Sequence, residues 1–180
     1  PAPWPRMTYA ESMLRYGNDK PDTRFGMEIH DVGDALRGSE FKVFESVLAS
    51  GGVIRAINAG AREMSRSELD GLNDVVKVHG AKAVAPMPVV GESEWGSNLA
   101  KFFSAEQVRA VNAELEASAG DLLLFVADRE PIAAAATGAL RLELAERFDM
   151  IEHGRHDILW IVDPPMFEAT DDPAHPWTAI

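Results

Sequence analysis

The sequence has no cysteine among its 180 residues. This absence excludes a disulfide framework and a thiolate metal site, and it leaves the cytoplasm as the expected location. The sequence also has no apolar run near the roughly 20 residues that a membrane-spanning helix requires. Its longest apolar runs, at 122–127 and 158–162, have the length of buried strands. We therefore expect a soluble protein with no membrane segment.

Basic residues are scarce as well. The chain has 17 Lys and Arg against 29 Asp and Glu, which gives a formal net charge of −12. Such a charge repels a phosphate backbone unless the few basic groups lie on one face. The isolated chain is therefore predicted to bind nucleic acid poorly. Its ends, at Pro1 and Ile180, carry neither a leader nor a helix stop and suggest a piece of a longer protein.

Helix starts are marked by capping patterns, in which Ser or Thr stands three residues before Glu or Gln. The capping residues are Thr8, Ser65 and Ser104. Two of the helices are followed by glycines, Gly17 and Gly80, which can adopt the left-handed conformation that ends a helix. Pro131 suits a first helical turn. Together these signals predict helices over about 9–16, 66–79, 105–118 and 131–147.

Strands are predicted at 53–58, 83–90, 122–127 and 158–163 from their apolar and β-branched residues. Pro86 and Pro88 each remove a hydrogen-bond donor, so the strand at 83–90 is expected to be an edge strand or a bulged one. Alternation of strands with helices between about 50 and 148 predicts an α+β or α/β domain of two layers. In that fold, the helices cover one face of a small sheet.

Several strings resemble the bacterial aspartyl-tRNA synthetase family along nearly the whole chain. Near the start these are 5–11, 16–17, 19–22 and Arg24, which look like the segment leaving the catalytic domain. Near the end they are 159–163 and 165–168, which look like the returning strand. The strings between these flanks are similar to the GAD domain, which is an insertion in that family. They lie at 76–77, 80–82, 100–102, 120–121, 125, 127–128 and 138–142.

The resemblance implies a division into an outgoing catalytic-domain strip, 1–31, a GAD insertion, 32–148, and a returning strip, 149–180. It implies a class II parent enzyme that uses ATP and Mg²⁺ to attach aspartate to its tRNA, as a homodimer. The GAD insertion is expected to help position the tRNA acceptor arm. Because the family's ATP-binding elements are absent from the chain, the fragment alone is predicted to be inactive and to bind no cofactor itself.

Candidate site residues fall into two groups. Lysines that could face tRNA are Lys77, Lys82 and Lys101, although isolated lysines on an acidic domain are often only solubilising charge. Residues expected near the active site of the parent are Asp19, Lys20, Asp22, Arg24, Asp163 and Glu168. The alternative for Asp19 and Asp22 is local, since such residues in a turn often cap the backbone and pair with nearby Lys or Arg.

No catalytic or metal-binding residue is predicted in the chain. His153 and His156 have the spacing of a ligand pair, but the composition of 152–156 favours a solvated turn. Rival interpretations are a protein-interaction or spacer module, marked by an exposed apolar patch, the GAD domain of a tRNA-dependent amidotransferase, and a small independent enzyme. Strand 158–163 is expected to have lost its sheet neighbours, leaving an edge that invites pairing between chains.

Overall fold

A computed structural model describes residues 4–170 and 174–179. Its strands are β1 Arg6–Thr8, β2 His30–Asp31, β3 Val53–Asn58, β4 Ala85–Gly91, β5 Glu94–Trp95, β6 Leu122–Asp128, β7 Trp160–Val162, β8 Phe167–Ala169 and β9 Trp177–Ala179. Its helices are α1 Tyr9–Tyr16, α2 Gly33–Leu36, α3 Lys42–Ala49, α4 Arg66–Val78, α5 Ala105–Glu114 and α6 Glu130–Arg147, with a 3-10 turn at Ala100–Phe102. None of the helices within these residues is long and apolar enough to cross a membrane.

The central element is an antiparallel sheet in the order β2-β3-β6-β4-β5. Strands β3 and β6 form its middle and pair along their lengths, from Val53 opposite Asp128 to Asn58 opposite Leu123. A separate parallel pair joins β1 to β7, and a hairpin joins β8 to β9. The predicted α+β class is confirmed.

Helices cover both faces of the sheet, in contrast to the predicted two layers with helices on one face. Leu123 and Phe125 of β6 belong to a cluster with α2, α3 and α5, whereas Leu124 and Val126 belong to a cluster with α4 and α6. The physical reason lies in β6 itself. Its residues 122–126 are all buried and apolar, and adjacent residues of a strand point to opposite faces, so both faces need a cover.

The predicted helix caps are confirmed. Ser65 and Ser104 each form a complete capping box, and Thr8 accepts a hydrogen bond from the Glu11 N–H at 3.1 Å. Helix α5 ends four residues earlier than predicted. Glu116 has a left-handed φ of 48°, and the Asp121 carboxylate accepts a hydrogen bond from the Ser118 N–H, so a turn replaces the last helical turn.

The two prolines of β4 lie where the sheet does not need their missing donors. Pro86 and Pro88 pair with β6 on one side, while β5 pairs with β4 only at Val89 and Gly91, across a register irregularity. The carbonyl oxygen of Pro88 accepts a hydrogen bond from the Gly96 N–H at 2.7 Å. The predicted edge or bulged strand is therefore confirmed.

The two strips meet each other. Strand β7 of the returning strip pairs in parallel with β1 of the outgoing strip, from Arg6 opposite Trp160 to Thr8 opposite Val162. The Trp4 and Trp160 rings lie 5.9 Å apart. The expectation that the strand at 158–163 had lost its sheet neighbours is corrected, because the first strand of the chain supplies one.

Helix α1 touches α6 backbone to backbone through two glycines. Gly17 ends α1 with a left-handed φ of 75°, and a Cβ there would collide with the Ala134 carbonyl oxygen. A Cβ on Gly138 would lie 2.7 Å from the Tyr16 carbonyl oxygen. Helix α1 is therefore fixed to α6 at a distance that only glycine permits.

Replacing Gly138 with Ala is expected to destabilise the chain by about 1–3 kcal/mol, because the overpacking strain exceeds the gain in helix propensity of about 1 kcal/mol. Gly71→Ala is the matched control, since Gly71 also lies inside a helix and a Cβ there meets nothing within 4 Å. It is expected to be neutral or stabilising. Urea unfolding of the three proteins measures both effects, and equal stability of the two variants would contradict the close approach.

Candidate functional site

The loop from Gly17 to Ile29, which joins α1 to β2, meets the returning strip at a surface hollow of about 330 Å³. We call this hollow the junction pocket. Three of its lining residues, Lys20, Asp22 and Arg24, were predicted from the sequence to lie near the active site of the parent. The others were not predicted to lie there. Its lining consists of Lys20, Pro21, Asp22, Thr23, Arg24, His156, Asp157 and Ile158.

The loop owes its shape to short-range polar contacts. The Asn18 side-chain oxygen accepts a hydrogen bond from the Lys20 N–H at 2.8 Å, and the Asp22 carboxylate accepts one from the Arg24 N–H at 3.0 Å. Ser12 of α1 donates to the Asn18 carbonyl oxygen at 2.6 Å. Asn and Asp side chains commonly hold turns in this way, which explains why this polar segment has a defined fold.

Two ion pairs lie in or beside the pocket. Arg24 donates two side-chain hydrogen bonds to Asp22, at 2.9 and 2.7 Å, and Arg155 donates two to Asp157, at 3.1 and 2.9 Å. Each arginine lowers the pKa of the carboxyl group that it contacts, chiefly through these hydrogen bonds. The lining therefore contains two cations, Lys20 and Arg24, against two carboxylates, a balance much less acidic than that of the whole chain.

A buried arginine of α6 holds the loop from beneath. Arg141 is only 1% exposed, and its guanidinium lies over the rings of Tyr16 and Phe25, at 4.8 and 4.0 Å from their centroids. It donates hydrogen bonds of 2.7–3.0 Å to four main-chain carbonyl oxygens of the loop, those of Asp22, Phe25, Gly26 and Met27.

The described hydrogen-bond partners of Arg141 are thus peptide dipoles and not carboxylates. Burial lowers its pKa to about 10, while the charges of Tyr16, Asp22 and Glu28 act in the opposite direction. At neutral pH the side chain remains a cation. Met27, whose carbonyl oxygen accepts from Arg141, has a left-handed φ of 63°, which is uncommon outside glycine.

A second group of hydrogen bonds fixes the C-terminal end of the loop to α1. Arg15 donates to Glu28 through Nε at 2.7 Å and through Nη2 at 2.5 Å, and it also contacts Glu11. The Tyr16 hydroxyl donates to the same Glu28 carboxylate at 3.1 Å. The hydrogen bonds from Arg15 are the main reason that the pKa of Glu28 lies below its usual value.

A carboxyl group with a depressed pKa stabilises the folded state above its unfolded-state pKa, and this stabilisation is lost as the pH falls through the folded-state value. For Glu28 the loss begins below the ordinary value of 4.5. We therefore expect Glu28→Gln to destabilise the chain at neutral pH and to have a smaller effect near about pH 3. Urea unfolding at both pH values measures this difference.

Glu63→Gln, at an exposed position, is the control and is expected to change stability little at either pH. A cost of Glu28→Gln that is equal at both pH values would show that ionised Glu28 does not hold the loop.

The three candidate lysines are not brought to one face. Lys77 lies on α4 and contacts Asp74 at 3.2 Å, and Lys82 follows in the α4–β4 connection. Both flank residues of the cluster that contains α4 and α6. Lys101 lies over the Phe102 ring at 5.1 Å, in a turn that packs on the opposite cluster. A patch made of all three would have to extend round the sheet.

The remaining candidates lie apart from the pocket lining. Asp163 directly follows β7, is exposed and has a left-handed φ of 56°. Glu168 belongs to β8, but its side chain lies outside what the structure describes. Asp19 is exposed beside Lys20. Sequence reasoning missed the role of Arg141, although its position between Leu140 and Leu142, as the first charged residue of the segment 131–147, was a usable signal.

The two carboxylates of the pocket are suited to ion pairing and not to acid–base chemistry. A general base needs a pKa near the working pH, whereas arginines hold the pKa values of Asp22 and Asp157 below their usual range. In the described part of the chain, no group of three or more His, Asp or Glu residues could hold a metal ion. The chemistry that fits the pocket is recognition of a polar or anionic ligand by Lys20 and His156, while Arg24 is paired with Asp22.

Comparison with known proteins gives two findings. Residues 44–137, slightly more than half of the chain, match the GAD domain. Over 173 residues, or 95% of the chain, the sequence is 47% identical to an aspartate-tRNA(Asp/Asn) ligase of Bacillus cereus.

Similar ligases of Bacillus anthracis and Bacillus cytotoxicus are 46% and 45% identical over 95% and 94% of the chain. The resemblance seen in the residues is thereby confirmed. The chain spans 29% of the length of each of these relatives.

Proposed function

The chain belongs to the GAD domain family, and on this basis we propose that it is the GAD insertion of an aspartate-tRNA ligase with two flanking catalytic-domain strips. The similarity to the ligases extends beyond the GAD match into both flanks, which favours the ligase over the amidotransferase alternative. The boundaries 1–31, 32–148 and 149–180 are part of this proposal. In support of the second boundary, α6 ends at Arg147.

The proposed role of the chain is to position RNA and not to perform chemistry. The parent would be a class II ligase, cytoplasmic and homodimeric, in which ATP and Mg²⁺ activate aspartate for transfer to tRNA. The junction pocket does not fit an ATP and Mg²⁺ site, because its carboxylates are engaged by Arg24 and Arg155. No step of the proposed role therefore passes through either group.

The observation that carries the proposal is the junction pocket. It is formed by the loop at 20–24 and the returning strip at 156–158, which are the two flanks that align with the ligases. It places Lys20 beside the Arg24–Asp22 ion pair, so Lys20 is the cation of the lining that would contact a phosphate. Contacts to phosphates from such groups fix the orientation of a nucleic acid without reading its sequence, which suits the positioning of an acceptor arm.

A second function, protein interaction, is favoured by the returning strip. Large apolar side chains are exposed along it, with exposed fractions of 54–77%: Ile158, Trp160, Met166, Phe167 and Trp177. Exposed apolar groups of this kind mark interaction surfaces. We propose the rest of the catalytic domain as the partner on this side, so that the interaction complements the RNA role.

Titration of the chain into a minihelix of the acceptor stem of aspartate tRNA tests the RNA role. We expect weak binding that strengthens at low salt and exceeds that to a random hairpin. Lys20→Glu is expected to lower the affinity by about tenfold, because it replaces a phosphate contact with repulsion.

Lys101→Glu, which makes the same charge change on the other side of the sheet, is the control and should have little effect. Equal losses in both variants would indicate net charge alone, and no binding at either salt concentration would contradict the RNA role.

A further inference from the structure

We infer that Arg141 is a positioning residue through which the GAD helix α6 sets the conformation of the loop at 20–28, and with it the shape of the junction pocket. This coupling stands on the contacts of Arg141. Its consequence for RNA rests on the proposed function. Arg141 itself lies beneath the loop and is buried, so it acts through the loop and not on a ligand.

The first argument is the direction of its contacts. Arg141 belongs to the main domain, yet all four of its acceptors lie between Asp22 and Met27, more than 110 residues earlier in the chain. Nη2 serves three carbonyl oxygens and Nε serves the fourth. The guanidinium therefore binds one short stretch of loop backbone, residues 22–27, and fixes it to a single position on α6.

The second argument is that the loop needs a planar cation at this point. Carbonyl oxygens that converge on one position repel each other, and a buried acceptor without a donor costs about 1–3 kcal/mol. Arginine supplies several donors in a flat fork that also stacks on aromatic rings, here those of Tyr16 and Phe25. A lysine ammonium has three donors and no flat face, so it cannot reproduce this arrangement.

The third argument connects the loop to the pocket through one residue. The carbonyl oxygen of Asp22 accepts a hydrogen bond from Arg141 at 2.7 Å, while its carboxylate holds the Arg24 side chain. The hydroxyl of the neighbouring Thr23 donates a hydrogen bond of 3.4 Å to the Asp157 carboxylate of the returning strip. Release of Asp22 from Arg141 would therefore disturb both sides of the pocket.

The fourth argument is that α6 itself is fixed close to this position. Gly138, three residues before Arg141, touches the end of α1 at Gly17. Helix, loop and outgoing strip thus share one packed contact region, and a shift of α6 is transmitted to the loop.

Hydrogen–deuterium exchange on this chain tests the coupling. Arg141→Lys is expected to raise the exchange rates of the 20–29 amides by about tenfold, which corresponds to about one lost hydrogen bond. The strands 53–58 and 122–128 should keep their protection. Arg147→Met is the matched control, since Arg147 is an exposed arginine of the same helix that pairs with Glu143. Unchanged exchange at 20–29 in Arg141→Lys would overturn the inference.

A second variant keeps the test decisive if Arg141→Lys unfolds the chain. Phe25→Leu preserves the Phe25 carbonyl oxygen but removes the ring on the guanidinium, and it is expected to raise exchange at 20–29 less than a full loss of Arg141 would. Protection at 20–29 equal to that of the original chain, in a folded Phe25→Leu protein, would count against the positioning role.

The functional consequence is tested by a double-mutant cycle in the minihelix titration. If Arg141 acts by positioning Lys20, Arg141→Lys lowers affinity although it does not touch RNA. The double variant with Lys20→Glu should then lose less than the sum of the two single losses.

Additive losses would overturn the functional part of the inference. If no variant binds RNA, the proposed function fails, and the exchange experiment still decides whether Arg141 positions the loop.

Discussion

The buried guanidinium of Arg141 is the interaction on which the arrangement of strip and insertion depends. Taking a cation out of water costs several kcal/mol unless its surroundings replace the lost solvation. Here the replacement is four loop carbonyl oxygens and two aromatic rings. Since those groups belong to α1 and the following loop, the main domain satisfies its own buried charge only when the outgoing strip is in place.

The rest of the fold follows from the apolar strand β6. Its buried side chains on both faces require two helical layers, and Ile29, from the loop after α1, packs into one of the two clusters. The segment after α6 is different, because β7 has a described sheet partner only in β1, and Trp160, the first residue of β7, is 56% exposed. The sheet is therefore covered on both faces, while the segment after α6 keeps large apolar side chains exposed.

Local signals predicted much of this structure from sequence. The caps at Ser65 and Ser104 depend on neighbouring residues only, and Pro86 and Pro88 restrict any strand that contains them, so these predictions were confirmed. The helices on both faces were missed although the unbroken apolar run of β6 indicated them. Two further features join residues more than 110 positions apart, and local patterns do not specify such contacts. They are the approach of Gly17 to Gly138 and the hydrogen bonds from Arg141 to the loop carbonyl oxygens.

The central claim is most directly tested by nuclear magnetic resonance of the arginine Nε–H groups. The account predicts that the Nε–H signal of Arg141 exchanges slowly with water, because this group is buried and donates to the Met27 carbonyl oxygen. This signal should show through-space contacts with ring protons of Tyr16 and Phe25. Rapid exchange of the Arg141 Nε–H, without contacts to either ring, would contradict the account.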